Sequence, residues 1–248
     1  MSGVTTLVLL PGMDGTGDLF APFVAALGKE FTTHIVRYPT NRITTDEELT
    51  AIARDALPST TPYALLGESF SGPTAIRLAY ERPPHLRALV LCCSFARNPQ
   101  ARLASPASVL LNWRCPLPPL GLISAALMGR FATPSAKEAL KAALASVGAD
   151  VLRARMKQVL AVDTRDLLKR VTLPLLYLRA AQDLLVSVRS ASEVQGLAPQ
   201  TTVSSLPGPH FLLQTQPEAA AAAVKTFLRQ LNQPIESYLS HENTHRSG

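Results

Sequence analysis

One stretch in the first third of the chain governs the interpretation of the rest, and it reads Tyr63-Ala-Leu-Leu-Gly67-Glu68-Ser69-Phe70-Ser71-Gly72-Pro73. Residues 63–67 form an apolar run typical of a buried strand, and the small and aliphatic residues of 72–81 are typical of a helix. Ser69 therefore lies on a sharp turn, with a small residue two positions away on each side. Such a turn requires small neighbours, because bulky side chains would collide with the adjoining strand and helix. We expect the Ser69 hydroxyl to be presented at the carboxyl end of the strand.

Apolar strands alternate with helical segments on both sides of this stretch. The predicted strands are 5–10, 33–38, 63–67, 86–92, 174–178 and 202–206, and the predicted helices between and after them are 20–27, 45–57, 72–81, 190–197 and 216–231. Strands that are apolar nearly throughout and separated by helices predict a parallel sheet covered by helices on both faces. Three Ser/Thr-x-x-Glu pairs predict capping boxes at helix starts: Thr45 with Glu48, Ser135 with Glu138, and Thr215 with Glu218.

The alternation stops between residues 95 and 171, where helical segments are predicted at 109–111, 120–128, 136–146 and 149–162. The predicted organisation is therefore an α/β core from residues 1–95 and 172–233, a helical cap inserted at 96–171, and a flexible tail at 234–248.

Composition and charge exclude several classes of protein. With 47% hydrophobic and 17% charged residues, the 248-residue chain is not disordered. Its net charge is +6, and the excess of positive charge lies in residues 97–170, which contain twelve Lys/Arg and four Asp/Glu. The rest of the chain contains twelve Lys/Arg and fourteen Asp/Glu. A solvated helical surface explains this charge better than a lid that attracts anionic substrates. The basic residues have neither aromatic interleaving nor a known motif, so no nucleic-acid partner is expected.

Cysteine spacing and apolar runs bear on the expected location of the protein. Cys92, Cys93 and Cys115 form neither a disulfide framework nor a zinc motif. The longest strongly apolar uncharged run, 115–129, contains three prolines and falls short of the ~20 residues that a membrane helix needs. The N-terminus lacks the features of a signal peptide. We expect a cytoplasmic protein without stable membrane insertion, and without a metal or cofactor.

A serine nucleophile needs a base and an acid that orients the base. With a serine on such a turn, the acid is expected after the next-but-one strand and a histidine after the last strand. Asp183 and His210 occupy these two positions. The other histidines and aspartates near strands, such as His34, His85, Asp163 and Asp166, lie in a strand or precede one. Ser69, Asp183 and His210 are therefore the predicted catalytic residues.

An oxyanion hole needs two backbone N–H groups. We assign one to Phe70, which follows the nucleophile, and the other to Met13, in the loop after the first strand. That loop has glycines at 12, 15 and 17, which let the backbone approach a substrate closely. A phosphate-binding loop is the alternative, but the spacing matches neither G-x-G-x-x-G nor a P-loop.

In these features the chain resembles the α/β-hydrolases, specifically the small carboxylesterase- and thioesterase-like members with a helical cap. The resemblance rests on residues 10–15 (Leu-Pro-Gly-Met-Asp-Gly), 67–72 (Gly-Glu-Ser-Phe-Ser-Gly), Asp183 and 209–211 (Pro-His-Phe). The departures are Ser71 in place of the motif's second glycine, Pro11-Gly12 in place of the frequent His-Gly, and a mainly parallel sheet shortened to about six strands. The resemblance places the cap over Ser69, where Gly12, Trp113 and Met128 are candidate substrate contacts, although most apolar cap residues are better explained as packing.

The activity expected from these residues is hydrolysis of small-molecule carboxylic esters with short to medium acyl chains, through an acyl-enzyme. A second reading is a thioesterase or biosynthetic methyl-ester hydrolase that acts on anionic acyl-CoA or acyl-carrier substrates, which the basic insertion would favour. A third is a ligand-binding member of the fold without catalysis, against which the complete Ser-His-Asp set argues.

Overall fold

The structure, a computed structural model, describes residues 4–99 and 118–232. A six-stranded sheet forms its centre, with strands β1 (Thr6–Leu10), β2 (Thr32–Ile35), β3 (Tyr63–Glu68), β4 (Leu86–Cys92), β5 (Leu175–Ala180) and β6 (Thr201–Leu206). The strand order is β2-β1-β3-β4-β5-β6, and every neighbouring pair is parallel. The predicted parallel sheet of about six strands is confirmed.

Helices cover both faces of the sheet. The α-helices of the described residues are α1 (Ala21–Leu27), α2 (Asp46–Asp55), α3 (Gly72–Glu81), α4 (Leu120–Met128), α5 (Pro134–Ala145), α6 (Ala149–Ala161), α7 (Arg165–Leu168), α8 (Val188–Leu197), α9 (Leu212–Thr215) and α10 (Pro217–Leu231). Alternate residues of each strand face opposite sides: Leu7 and Leu9 pack with α1 and α10, whereas Val8 and Leu10 pack with α2, α3 and α8. Two apolar layers therefore hold the sheet, as the strand pattern predicts.

Between β4 and β5 the described residues are helical, as predicted for the insertion. Helices α4 to α7 fill this part of the chain, whereas the predicted helix 109–111 lies outside the described residues. One apolar cluster joins the insertion to the core, and it contains Leu19, Met128, Leu140, Ala143 and Phe211. The Phe211 amide also donates to the Leu127 carbonyl over 2.9 Å. The division into core, cap and tail stays a prediction.

Helix starts confirm one predicted capping box and contradict two. Thr45 and Glu48 form the reciprocal bonds of a capping box at α2. At α5 the cap is Thr133 rather than Ser135, because Pro134 takes the first helical position, which suits its fixed φ and missing N–H. The same reason applies at α10, which begins at Pro217, so Thr215 is the last residue of α9 and does not cap α10.

Strand β2 ends at Ile35, three residues before the predicted end. Beyond it the chain turns toward the loop after β1, where the Tyr38 amide donates to the Gly15 carbonyl over 2.8 Å. This contact brings Tyr38 beside the serine turn. Within residues 4–99 and 118–232, no helix combines the length and apolar character needed to span a bilayer.

Candidate active site

The turn between β3 and α3 holds Ser69 in a strained backbone conformation. Its φ is +45°, in the left-handed region that residues other than glycine rarely adopt. Gly67 makes the turn possible, because a Cβ atom there would lie 2.8 Å from the Ala75 Cβ and 2.9 Å from the Ser71 carbonyl oxygen. The close packing of β3 against α3 therefore explains why position 67 needs a small residue, as the sequence predicts.

Two neighbouring hydroxyls hold this turn. The Ser94 hydroxyl donates to the Ser69 carbonyl over 2.7 Å. The Ser71 hydroxyl donates to the Pro11 carbonyl and lies 3.1 Å from the Tyr38 hydroxyl. Serine in place of the motif's second glycine therefore links the serine turn to the loop after β1.

Ser69, His210 and Asp183 form one hydrogen-bonded line. The Ser69 Oγ is 2.8 Å from His210 Nε2, and His210 Nδ1 is 2.8 Å from Asp183 Oδ2. The loops after β5 and β6 bring the acid and the imidazole to the carboxyl edge of the sheet, above the end of β3. The His210 and Asp183 side chains are 6% and 3% exposed, so water hardly competes for these bonds.

The carboxylate of this line is itself fixed. Asp183 Oδ1 accepts from the Leu185 and Val186 amides, each over 2.8 Å, which leaves Oδ2 directed at His210. The rival residues lie elsewhere: His34 is exposed on edge strand β2, and His85 precedes β4 at the opposite edge of the sheet.

The loop after β1 (residues 11–17, hereafter the β1 loop) contains both Gly12 and Met13. Its Gly15 amide donates to the Gly12 carbonyl over 3.1 Å, which closes a tight turn. Among the hydrogen bonds of the described residues, none is donated by the Met13 amide. A backbone N–H that is not bonded within the described residues is available as an oxyanion donor, as predicted for Met13. The Phe70 amide follows Ser69 directly.

Two charged side chains at this site escape prediction from the sequence. Arg155 of α6 is 1% exposed and donates to carbonyls of the β1 loop. Glu68, the last residue of β3, is 6% exposed and accepts from Gln214 Nε2 over 2.8 Å. Burial raises the pKa of Glu68 to about 7, and the nearby Asp14 carboxylate adds to this effect.

The candidate substrate contacts have different surroundings. Gly12 lies against the Glu68 carboxyl, 3.6 Å from the position a Cβ atom would take. Met128 is fully buried in the apolar cluster with Phe211, the residue after His210. Trp113 lies outside the described residues. Their roles toward substrate stay predictions.

One cluster within residues 4–99 and 118–232 has donor atoms that suit a metal. Single ligand atoms of Cys93, Asp183 and His210 lie within 4.8 Å of one another. Both ring nitrogens of His210 are already engaged by Ser69 and Asp183, so hydrogen bonding accounts for the arrangement. The expectation of a site without metal or cofactor stays a prediction.

Comparison with known proteins settles the family. A model described as the alpha/beta hydrolase family matches residues 7–223. The chain belongs to this family. The predicted resemblance to the α/β-hydrolases is thus confirmed, and with it the α/β-hydrolase fold.

Individual proteins are similar to this alpha/beta hydrolase in sequence or in structure. Phytyl ester synthase 1, chloroplastic, from Arabidopsis thaliana is 35% identical over 103 residues, which cover 38% of this chain and 15% of that protein. An enol-lactonase from Burkholderia xenovorans LB400 has a TM-score of 0.73 at 18% identity, covering 92% of each chain. An esterase from Rhodococcus sp. ECU1013 has a TM-score of 0.72 at 20% identity, covering 92% of this chain and 91% of that one. At these identities the structural likeness concerns the fold alone.

Proposed function

We propose that this alpha/beta hydrolase cleaves carboxylic esters through a Ser69 acyl-enzyme, with His210 as general base and acid and Asp183 as its orienting partner. The observation that carries the proposal is the unbroken line of two 2.8 Å contacts, Ser69 Oγ to His210 Nε2 and His210 Nδ1 to Asp183 Oδ2. Because Ser69 is half-buried and its two partners are almost fully enclosed, the line has one open end, at the hydroxyl.

The chemistry follows from the direction of these bonds. Ser69 Oγ attacks the ester carbonyl as its proton passes to His210 Nε2, and Asp183 stabilises the resulting imidazolium through Nδ1–H. His210 then returns the proton to the departing alcohol, which leaves an acyl group on Ser69. A water molecule, deprotonated by His210, attacks this acyl group, releases the carboxylic acid and regenerates the serine.

The oxyanion of each tetrahedral intermediate needs preorganised donors. The Met13 and Phe70 amides fill this role in the proposal, since Met13 lies in a closed turn and Phe70 directly follows the nucleophile. Loss of one such donor typically costs about 10²–10³ in rate. The Ser71–Pro11 hydrogen bond joins the β1 loop to the serine turn, which favours a fixed spacing between the two donors.

A second candidate is acyl transfer from Ser69 to an alcohol instead of water. It is favoured by the 35% identity to a protein named phytyl ester synthase, over a segment that covers 38% of this chain. The first half of the reaction is the same. The acceptor differs: an alcohol deprotonated by His210 would attack the acyl-enzyme and leave as a new ester.

The hypothesis of a thioesterase that acts on anionic acyl-CoA or acyl-carrier substrates has less support. In the described part of the insertion, each of the four acidic residues pairs with a basic residue of the same segment: Glu138 with Lys141, Asp150 with Arg153, Asp163 with Arg165, and Asp166 with Lys169. Most of these paired side chains are exposed, as on a helix face that is charged for solubility. A solvated helical surface therefore remains the better account of the basic segment.

The test is covalent labelling combined with turnover. A fluorophosphonate probe should label the wild-type chain at Ser69, as read by peptide mass spectrometry, and p-nitrophenyl esters should be hydrolysed. Ser69→Ala should lose both, whereas Ser192→Ala, which alters an exposed serine of α8, should keep both. An unlabelled wild-type chain, or a Ser69→Ala variant that still turns over, overturns the proposal.

The acceptor is decided by product analysis. With an acyl ester and a long-chain alcohol in the same assay, hydrolysis yields the carboxylic acid and transfer yields the new ester, which mass spectrometry separates. Free acid as the main product at every alcohol concentration supports the hydrolase, and the new ester as the main product supports the transferase. Acyl-CoA as the donor, compared at low and high salt, tests the thioester reading.

A further inference from the structure

A buried cation reaches the β1 loop from the helical insertion. Arg155 lies on α6 and is 1% exposed, although arginine is rarely enclosed without a partner. Its Nη1 donates to the Met13 and Asp14 carbonyls, each over 2.8 Å, and its Nη2 donates to the Pro39 carbonyl over 2.9 Å. One planar guanidinium therefore bridges two loops of the core that are separated by about 25 residues.

Two aromatic rings and a glycine also lie around this guanidinium. Its carbon lies 5.9 Å from the centre of the Tyr38 ring and 6.0 Å from that of Phe70, distances at which a cation is attracted by a ring face. At Gly15, whose φ is +73°, a Cβ atom would lie 2.5 Å from Arg155 Nη1. The β1 loop thus has a glycine where the guanidinium needs the space.

The held carbonyls lie next to the proposed oxyanion donor. The Gly12 carbonyl is fixed by the Gly15 amide, and a planar trans peptide directs the Met13 N–H away from that carbonyl. Arg155 then fixes the next two carbonyls, of Met13 and Asp14. Without Arg155 these two carbonyls would lose the donors that hold them, although the loop would keep its bonds to Ser71 and Tyr38.

We propose that Arg155 is a positioning residue that holds the β1 loop in the conformation in which the Met13 amide faces the oxyanion formed on Ser69. The inference rests on the proposed acyl-enzyme function and deepens it, because a residue of the helical insertion would then support the oxyanion hole. Arg155 touches no reacting atom; it acts through the loop carbonyls. Arginine is suited to this task because its fork presents several donors in one plane, which a lysine ammonium does not.

The test compares Arg155→Met, which keeps most of the apolar stem and removes every donor, with Lys157→Ala, which removes an exposed charge from the same helix. In p-nitrophenyl ester hydrolysis, Arg155→Met should lower kcat by about 10²-fold, the lower end for a lost oxyanion donor, while KM stays within about threefold. Lys157→Ala should match the wild type. Far-UV circular dichroism and a thermal melt establish that each variant is folded at the assay temperature.

A second measurement reports on the oxyanion itself. A trifluoromethyl ketone forms a tetrahedral adduct with a serine hydroxyl, so its inhibition constant should rise by the same factor as kcat falls. A purely structural role would lower the melting temperature without this matched change. Should Arg155→Met fail to fold, Arg155→Lys carries the test, because an ammonium cannot span the three carbonyls in the guanidinium's plane, and its kcat should also fall.

The outcomes separate this inference from the function on which it rests. A wild-type chain that neither hydrolyses esters nor reacts with the fluorophosphonate refutes the proposed function. An active wild type together with a folded Arg155→Met variant whose kcat is within threefold overturns the inference alone. Arg155→Lys with unchanged kcat, where it is the variant that folds, does the same.

Discussion

The buried Glu68 carboxyl makes stability depend on pH in a direction that can be worked out. Its pKa is raised from the ordinary value of 4.5 to about 7, chiefly by burial. A group with a raised pKa in the folded state binds its proton more tightly there than in the unfolded chain. Protonated Glu68 therefore favours folding below about pH 4.5, and this advantage disappears as the pH rises to about 7.

The size of the effect follows from the same two values. One pKa unit corresponds to about 1.4 kcal/mol, so a carboxyl moved from 4.5 to about 7 costs the folded protein about 3 kcal/mol once it is ionised. Glu68→Gln removes the charge and keeps an oxygen that can accept from Gln214 Nε2. The free energy of unfolding of Glu68→Gln, relative to wild type, should rise by about 3 kcal/mol between pH 4.5 and 8.

Urea unfolding followed by far-UV circular dichroism, at half-unit steps from pH 4.5 to 8.5, measures this difference. Titrating groups that do not interact with Glu68 cancel because they are common to both chains. Glu138→Gln, at a side chain that is 72% exposed, is the matched control and should follow the wild-type curve. Curves for Glu68→Gln and wild type that stay parallel to within about 1 kcal/mol over this range would refute the reasoning.

Three further changes have expected outcomes. Gly67→Ala places a methyl group within 3.0 Å of three atoms, so we expect it to destabilise the fold by about 1–3 kcal/mol and to abolish esterase activity. The control Gly196→Ala lies in an open part of α8, and a thermal melt should show it to be neutral or slightly stabilising. Asp183→Asn should lower kcat by up to about 10⁴-fold at an unchanged fold, because the wrong imidazole tautomer is favoured; a loss below tenfold contradicts the role of the aspartate. Thr45→Ala removes the acceptor of the Glu48 amide and should lower the free energy of unfolding by about 1 kcal/mol, with no change in activity.

The sheet and the hydrogen-bonded line of Ser69, His210 and Asp183 could be predicted, because local sequence rules and sheet topology fix them. A parallel sheet places every strand's carboxyl end at one edge, so residues that follow strands in the sequence, such as Asp183 and His210, meet at that edge whatever the helices between them contain. The turn at Ser69 needs a small residue at position 67, and the sequence shows one. These constraints act within a few residues, or through topology alone.

The charged neighbours of the site could not be predicted, because their roles depend on distant packing. Arg155 is one of twelve basic residues between 97 and 170, and a count of charges assigns it to a solvated face. Its burial follows from the packing of α6 against a loop some 140 residues earlier. Glu68 is likewise enclosed by Gln214, 146 residues away. Ser135 differs: there the error was local, since Pro134 already marks the helix start and so assigns the cap to Thr133.

Electrostatic catalysis requires donors that are held before the reaction begins, and a loop without regular structure does not supply this by itself. Here the β1 loop is held by side chains from three elements: Ser71 of the serine turn binds the Pro11 carbonyl, Arg155 of α6 binds the Met13 and Asp14 carbonyls, and Glu68 of β3 lies against Gly12. These side chains come from three separate elements and contact different residues of the loop, so a displacement of the loop changes more than one contact. The rigidity of the proposed oxyanion hole is therefore a property of the assembled core and insertion together.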